Sequence, residues 1–134
     1  MAGFSEIPAV EVPMSKWISQ LGWTLKNSKE LRKHRRPLAN PIVEDLLIDR
    51  IVSINSIKKS DAKKVLPILT QHYNNPNALE ANELFLERVV KGVNVKIDND
   101  DKTIKIIDFE NPWNNSFIVT RQYWVQGVEL VKPD

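Results

Sequence analysis

The sequence has no cysteine, which excludes disulfides and thiolate metal sites and fits a reducing cytoplasm. No apolar run approaches the ~20 residues that a membrane-crossing helix needs. Residues 1–6 lack the charged and apolar regions of a secretory signal, so no membrane partner is expected. Neither sign of charge dominates: 19 Lys and Arg face 17 Asp and Glu, a formal net charge of +2. Bulk electrostatics therefore demands no nucleic-acid partner. Internal repeats, low-complexity tracts and a Gly-rich phosphate loop ending in Gly-Lys-Ser/Thr are all missing. What remains is a chain of 134 residues, 42% hydrophobic, which suits one domain over residues 1–134. A chain of this size buries about two-thirds of the surface its unfolded form exposes.

The first part of the chain carries helical periodicity. Val10, Met14, Trp17, Ile18 and Leu21 recur at three- and four-residue spacings and predict an amphipathic helix over residues 6–21. Ser5 is its N-cap and Gly22 its stop. Pro13 is tolerated only near a first turn, so the helix starts later than Glu6 or bends. Residues 23–25 read as a short strand. Residues 26–36 hold Lys26, Lys29, Arg32, Lys33, Arg35 and Arg36, with His34 among them. This segment is either a solvated loop or a phosphate contact, since clustered cations gain affinity by releasing condensed counterions. On the second reading Lys33, Arg35 and Arg36 are the candidate DNA-binding residues. His34 reads as a solvated side chain.

Asn40 and Pro41 read as the N-cap and first residue of a second helix, continued by Val43, Leu46, Leu47, Arg50, Ile51 and Ile54. Glu44, Asp45 and Asp49 complement its dipole or lie on its wet face. Ser60 and Asp61 lead a third helix through Ala62, Val65, Leu66, Leu69 and Tyr73, kinked at Pro67. After a break at residues 74–77, Glu80, Glu83, Phe85, Leu86, Val89 and Val90 make a fourth, ended by Gly92.

There the period changes. Val93, Val95 and Ile97 alternate with polar residues, as a half-buried strand should. Residues 98–101 read as a turn and 103–109 as the returning strand. The acidic run lacks the spaced ligands, central Gly and closing Glu of an EF-hand, so it is a hairpin tip. A polar turn cluster at residues 111–116 precedes a strand in which Phe117, Val119, Tyr123 and Val125 share one parity. Gly127 permits a reversal into a short strand over residues 128–131. Pro133 and Asp134 follow. Helices first and four strands after them give an α+β pattern.

Several of these stretches together resemble the N-terminal region of the restriction (R) subunit of type I restriction-modification enzymes. They are Trp17-Ile18-Ser19-Gln20-Leu21-Gly22-Trp23, Leu79-Glu80-Ala81-Asn82-Glu83, Val90-Lys91-Gly92-Val93-Asn94-Val95 and Ile107-Asp108-Phe109-Glu110-Asn111-Pro112-Trp113-Asn114-Asn115. Phe117-Ile118-Val119, Gln122 and Val125-Gln126-Gly127 complete the set. The resemblance runs from residue 5 to residue 134. Its most specific part is Asp-Phe-Glu-Asn-Pro-x-Asn-Asn-x-Phe followed by Val-Gln-Gly.

The resemblance implies a PD-(D/E)xK nuclease core of restriction-endonuclease type, a mixed sheet flanked by helices that cuts duplex DNA with Mg²⁺. Pro133-Asp134 matches the opening of the nuclease motif, so Asp134 is the implied metal ligand and catalytic carboxylate. Glu11 matches an auxiliary catalytic carboxylate of the first helix; the alternative is a helix-surface or capping charge. The Glu-x-Lys half and the Gln-x-x-x-Tyr segment of the family fall after Pro-Asp and are not in this sequence. Gln122 and Tyr123 do not substitute for them. The family's motor domains, which use ATP, are not in this chain either, and its methylation and specificity subunits are implied partners.

The resulting expectation is a nuclease-domain fragment that is inactive alone. The competing reading is a non-catalytic module that binds DNA or assembles with another subunit. A sheet cut after its fourth strand would also expose an edge through which two chains could pair.

Overall fold

The computed structural model describes residues 10–34, 40–121, 123, 125–126 and 130–131. Its elements are α1 (Val12–Gln20), β1 (Thr24–Leu25), α2 (Ser28–Lys33), α3 (Glu44–Asn55), α4 (Lys59–Lys63), α5 (Val65–Leu69), α6 (Ala78–Lys91), β2 (Val93–Ile97), β3 (Asp100–Ile104), β4 (Ile118–Val119), β5 (Val125–Gln126) and β6 (Leu130–Val131). The class is α+β, as the sequence implies. The chain divides into two compact units, Met1–Val43 with Ser116–Asp134, and Glu44–Asn115. Among the described residues no helix is long and apolar enough to cross a membrane.

In the first unit, Pro13 sits in the first turn of α1, where a missing N–H costs nothing. Ser5 lies outside the described residues. Leu21 caps the helix, Gly22 takes φ +100°, and the N–H groups of Trp23 and Gly22 donate to Ile18 O (3.3 Å) and Ser19 O (3.1 Å). That crossed pair satisfies carbonyls the helix end would otherwise leave open. The apolar stripe of α1 is not a core face: Met14, Trp17 and Leu21 remain exposed and Ile18 is half-buried.

Residues 26–36 are not simply a loop. Asn27 accepts the Lys29 N–H at 2.8 Å, capping α2, and Leu31 is buried. Arg32 and Lys33 occupy the last turn, where cations offset the helix dipole.

β1 and β4 pair in parallel, with Thr24 opposite Ile118 and Leu25 opposite Val119. The rings of Trp23 and Phe117 pack 5.2 Å apart just before the two strands. The strand expected from Phe117 to Val125 is instead two pieces in different ladders, because β5 pairs antiparallel with β6. Tyr123, between them, donates its hydroxyl to Pro41 O at 2.6 Å. Gly127, expected to form the reversal, lies outside the described residues.

In the second unit the core forms where α3, α4 and α5 supply Ile48, Ile51, Ala62 and Val65, and the hairpin supplies Val93, Val95, Ile97 and Ile104. Every second residue of β2 points into that core, as strand geometry dictates. Asp98 and Asn99 take positive φ (52° and 67°) and form a two-residue turn, so β3 already begins at Asp100 rather than after residue 101. β3 also ends early, at Ile104. Beyond it Asn55 takes over the backbone, accepting the Lys105 N–H and donating to Lys105 O, both at 2.9 Å. Ile106 nevertheless stays buried.

Two helices differ from the sequence reading. Asn40 accepts the Ile42 N–H at 3.0 Å in a local turn, and α3 begins only at Glu44. The third helix is two short ones broken at Lys64, since Pro67 has no N–H to offer the Lys63 carbonyl. The break at residues 74–77 is as read, with Asn77 accepting the Glu80 N–H at 3.1 Å to cap α6.

The described strands form three two-stranded sheets, β1–β4, β2–β3 and β5–β6. The side-by-side sheet of late strands is therefore not what forms among them. The β3 ladder stops at Asn55, and β4 finds its partner in β1 rather than in β3.

Candidate functional site

A cavity of about 570 Å³ opens in the first unit, lined by Glu11, Leu25, Lys26, Asn27, Ser28, Lys29, Glu30 and Arg121. Topology explains the grouping. α1 runs toward Gly22, the chain reverses there, and β1 returns, so the start of the helix and the end of the strand face the same side. The parallel register carries β4 out at that side as well, with the Lys26 N–H bonded to Val119 O at 2.9 Å. Glu11, immediately before α1, is half-buried there.

Of the residues singled out from the sequence, Glu11 lines this cavity and Lys33 does not; Lys33 is exposed on the last turn of α2. Arg35, Arg36 and Asp134 lie outside the described residues. Among the described residues no group of three or more His, Cys, Asp or Glu side chains is placed to hold a metal. The carboxylates that reach the cavity, Glu11 and Glu30, do not by themselves make a metal centre.

The sequence reading did not select Lys26, Lys29 or Arg121. The two lysines were visible as part of a basic run. Arg121 carried no signal, because its place at the cavity follows from a parallel pairing of strands nearly a hundred positions apart.

The stretch most specific to the resemblance folds on itself in the second unit. Asp108 is buried, and its carboxylate accepts from the Asn111 N–H (2.9 Å) and the Asn114 side-chain amide (3.0 Å). Asn115 accepts the Asp108 N–H at 2.9 Å and donates to the carbonyls of Asp108 (2.8 Å) and Pro112 (2.9 Å). A single turn of 3₁₀ helix, Pro112–Asn114, closes the loop. The Asn114 side chain above all, then the Asn111 N–H, hold the Asp108 carboxyl below its ordinary value against the opposing effect of burial; Lys105 adds a smaller pull the same way. Arg50 ties the loop to α3 through Asn114 O at 3.2 Å. Asp108 is thus engaged as a clamp, and the loop presents Phe109 and Trp113 outward, 60% and 76% exposed.

A family model described as type I restriction enzyme R protein N terminus matches residues 3–134. A relative from Methanocaldococcus jannaschii, named "Putative type I restriction enzyme MjaIXP endonuclease subunit", is 29% identical over 133 residues. That match covers 93% of this chain and 13% of the relative, so the chain spans a small part of that protein's length. No solved structure matches the chain.

Proposed function

The chain belongs to the family of type I restriction enzyme R protein N termini, and from that premise we propose that it is the N-terminal part of a PD-(D/E)xK endonuclease domain. The observation that carries this reading is the match over residues 3–134, which takes in both Glu11 and the closing Pro133-Asp134. In the parent enzyme the domain cuts duplex DNA with Mg²⁺, in a complex with methylation and specificity subunits driven by ATP-using motor domains. It works in the cytoplasm, and residues 1–134 act as one domain.

Mg²⁺ is usually held by one or two carboxylates with waters and substrate phosphates, and Asp134 with Glu11 as auxiliary would hold it here. When bound, the ion would polarise the phosphoryl oxygen and lower the pKa of its water. Of the described residues Glu11 contributes a carboxylate beside the cavity, and Lys33, with Arg35 and Arg36, contributes cationic charge toward DNA. The Glu-x-Lys half is not in this sequence, so the chain alone is catalytically incomplete. Incubation with supercoiled plasmid and Mg²⁺ tests this. The plasmid stays supercoiled if the reading holds; metal-dependent nicking that Asp134→Ala abolishes overturns the claim of inactivity.

A second reading, a non-catalytic DNA-binding or subunit-assembly module, is favoured by the outward Phe109 and Trp113, since exposed aromatics on a fixed loop suit docking. Pairing of two chains through an open sheet edge belongs to the same reading, and light scattering at high concentration checks it.

A further inference from the structure

Three cations from separate stretches of chain line the cavity beside Glu11: Lys26 directly after β1, Lys29 in the first turn of α2, and Arg121 two residues beyond β4. Lys26 and Arg121 leave the sheet at the carboxyl ends of paired parallel strands. In open α/β sheets that is the edge where ligands lodge, because the loops diverge there and leave a crevice.

The charges are also uncommitted. Elsewhere on the molecule exposed lysines near carboxylates pair with them: Lys64 with Asp61 at 3.0 Å, Lys91 with Glu87 at 3.2 Å, Lys105 with Glu110 at 3.8 Å. Glu11 and Glu30 line the same cavity as Lys26, Lys29 and Arg121, yet none of these three cations makes a side-chain hydrogen bond or ion pair among the described residues. The backbone that carries these residues is fixed by the β1–β4 ladder and the Asn27 cap.

We propose that Lys26, Lys29 and Arg121 grip one stretch of the phosphodiester backbone of duplex DNA and seat it next to Glu11. This rests on the nuclease reading but differs from the Lys33, Arg35 and Arg36 set taken from the sequence. Three cations converging on phosphate oxygens make a contact to backbone, which carries no sequence preference. The Arg121 fork suits two phosphate oxygens at once, while the lysines act as point charges.

The test is duplex affinity of the whole chain by fluorescence anisotropy across a salt series. The cavity variant is Lys26→Gln, Lys29→Gln, Arg121→Gln. The control is Lys58→Gln, Lys59→Gln, Lys63→Gln, which removes equal charge from exposed positions of the other unit. The cavity variant is expected to bind at least about tenfold more weakly at low salt, and its slope of log affinity against log salt shrinks by roughly 2–3, near 0.9 per phosphate contact. The control stays within about twofold and keeps its slope. The charge-keeping variant Lys26→Arg, Lys29→Arg retains binding, since it keeps the three charges and leaves the Arg121 fork in place.

Binding by the cavity variant equal to that of the unaltered chain overturns the grip alone. So does an equal loss in the control or in the charge-keeping variant. Failure of the unaltered chain to bind any duplex overturns the DNA reading along with it. Inorganic phosphate, followed by ³¹P line broadening, is the remaining arm: phosphate binding without duplex binding marks a small-anion site and overturns the proposal.

Discussion

The Asn114 side-chain amide donates to the Asp108 carboxylate at 3.0 Å, and that contact closes a loop whose polar groups largely satisfy one another. The family resemblance is most specific in this stretch, and its chemistry here is architectural. A buried carboxylate, three asparagines and a proline hold the tight loop at residues 108–115, with two aromatic side chains left outside it. Asn115 is the most heavily used member, bonding both the N–H and the C=O of Asp108.

Replacing it should therefore be costly. Asn115→Ala leaves the Asp108 N–H and the carbonyls of Asp108 and Pro112 without their side-chain partner, and is expected to lower stability by about 1–3 kcal/mol in urea denaturation. Trp113 fluorescence should shift with it, because the loop that holds that ring is no longer closed.

Acid should act on the same loop. The folded Asp108 carboxyl titrates below its ordinary value of 3.8. The stability it contributes is thus fully present above the unfolded value and is lost as pH falls through the lower folded value. Thermal midpoints measured from neutral pH downward should fall in that acid window. In Asp108→Asn this part of the fall is absent, and the midpoint is lower than that of the unaltered chain at neutral pH.

The second unit depends on a small set of well-packed positions. Ile51 has no exposed surface, and Ile51→Ala should cost about 2–5 kcal/mol through lost contacts and a residual cavity. Gly92 turns the chain from α6 into β2 at φ +89°, and a Cβ there would meet Ile104 O at 2.7 Å. Gly92→Ala should cost more than about 1 kcal/mol, since both backbone angle and space oppose it. Denaturant midpoints of the two variants check both values.

Elements whose cause is local were legible in the sequence. The alternation of β2, the break at residues 74–77 and the Gly22 and Gly92 stops each depend on a few adjacent residues. In the third helix Pro67 implies a kink from sequence alone, whereas its missing N–H falls where the turn needs a donor and splits the helix at Lys64. The strand after Ile104 misled because its partner is the Asn55 side chain, which no periodicity in residues 103–109 reveals. The cavity was only partly legible: Glu11 enters through the family resemblance alone, and Arg121 reaches the cavity through the β1–β4 register. That pairing is set by long-range packing, and a single sequence carries no mark of it.

The nuclease proposal makes Glu11 and Asp134 parts of one divided site. The chain has no cysteine, so Glu11→Cys, Asp134→Cys can be spin-labelled at those positions alone and the distance between the labels measured by double electron–electron resonance. A dominant short distance is expected, no longer than two labelled side chains facing a shared ion would span. A single well-defined population far beyond that span would contradict it.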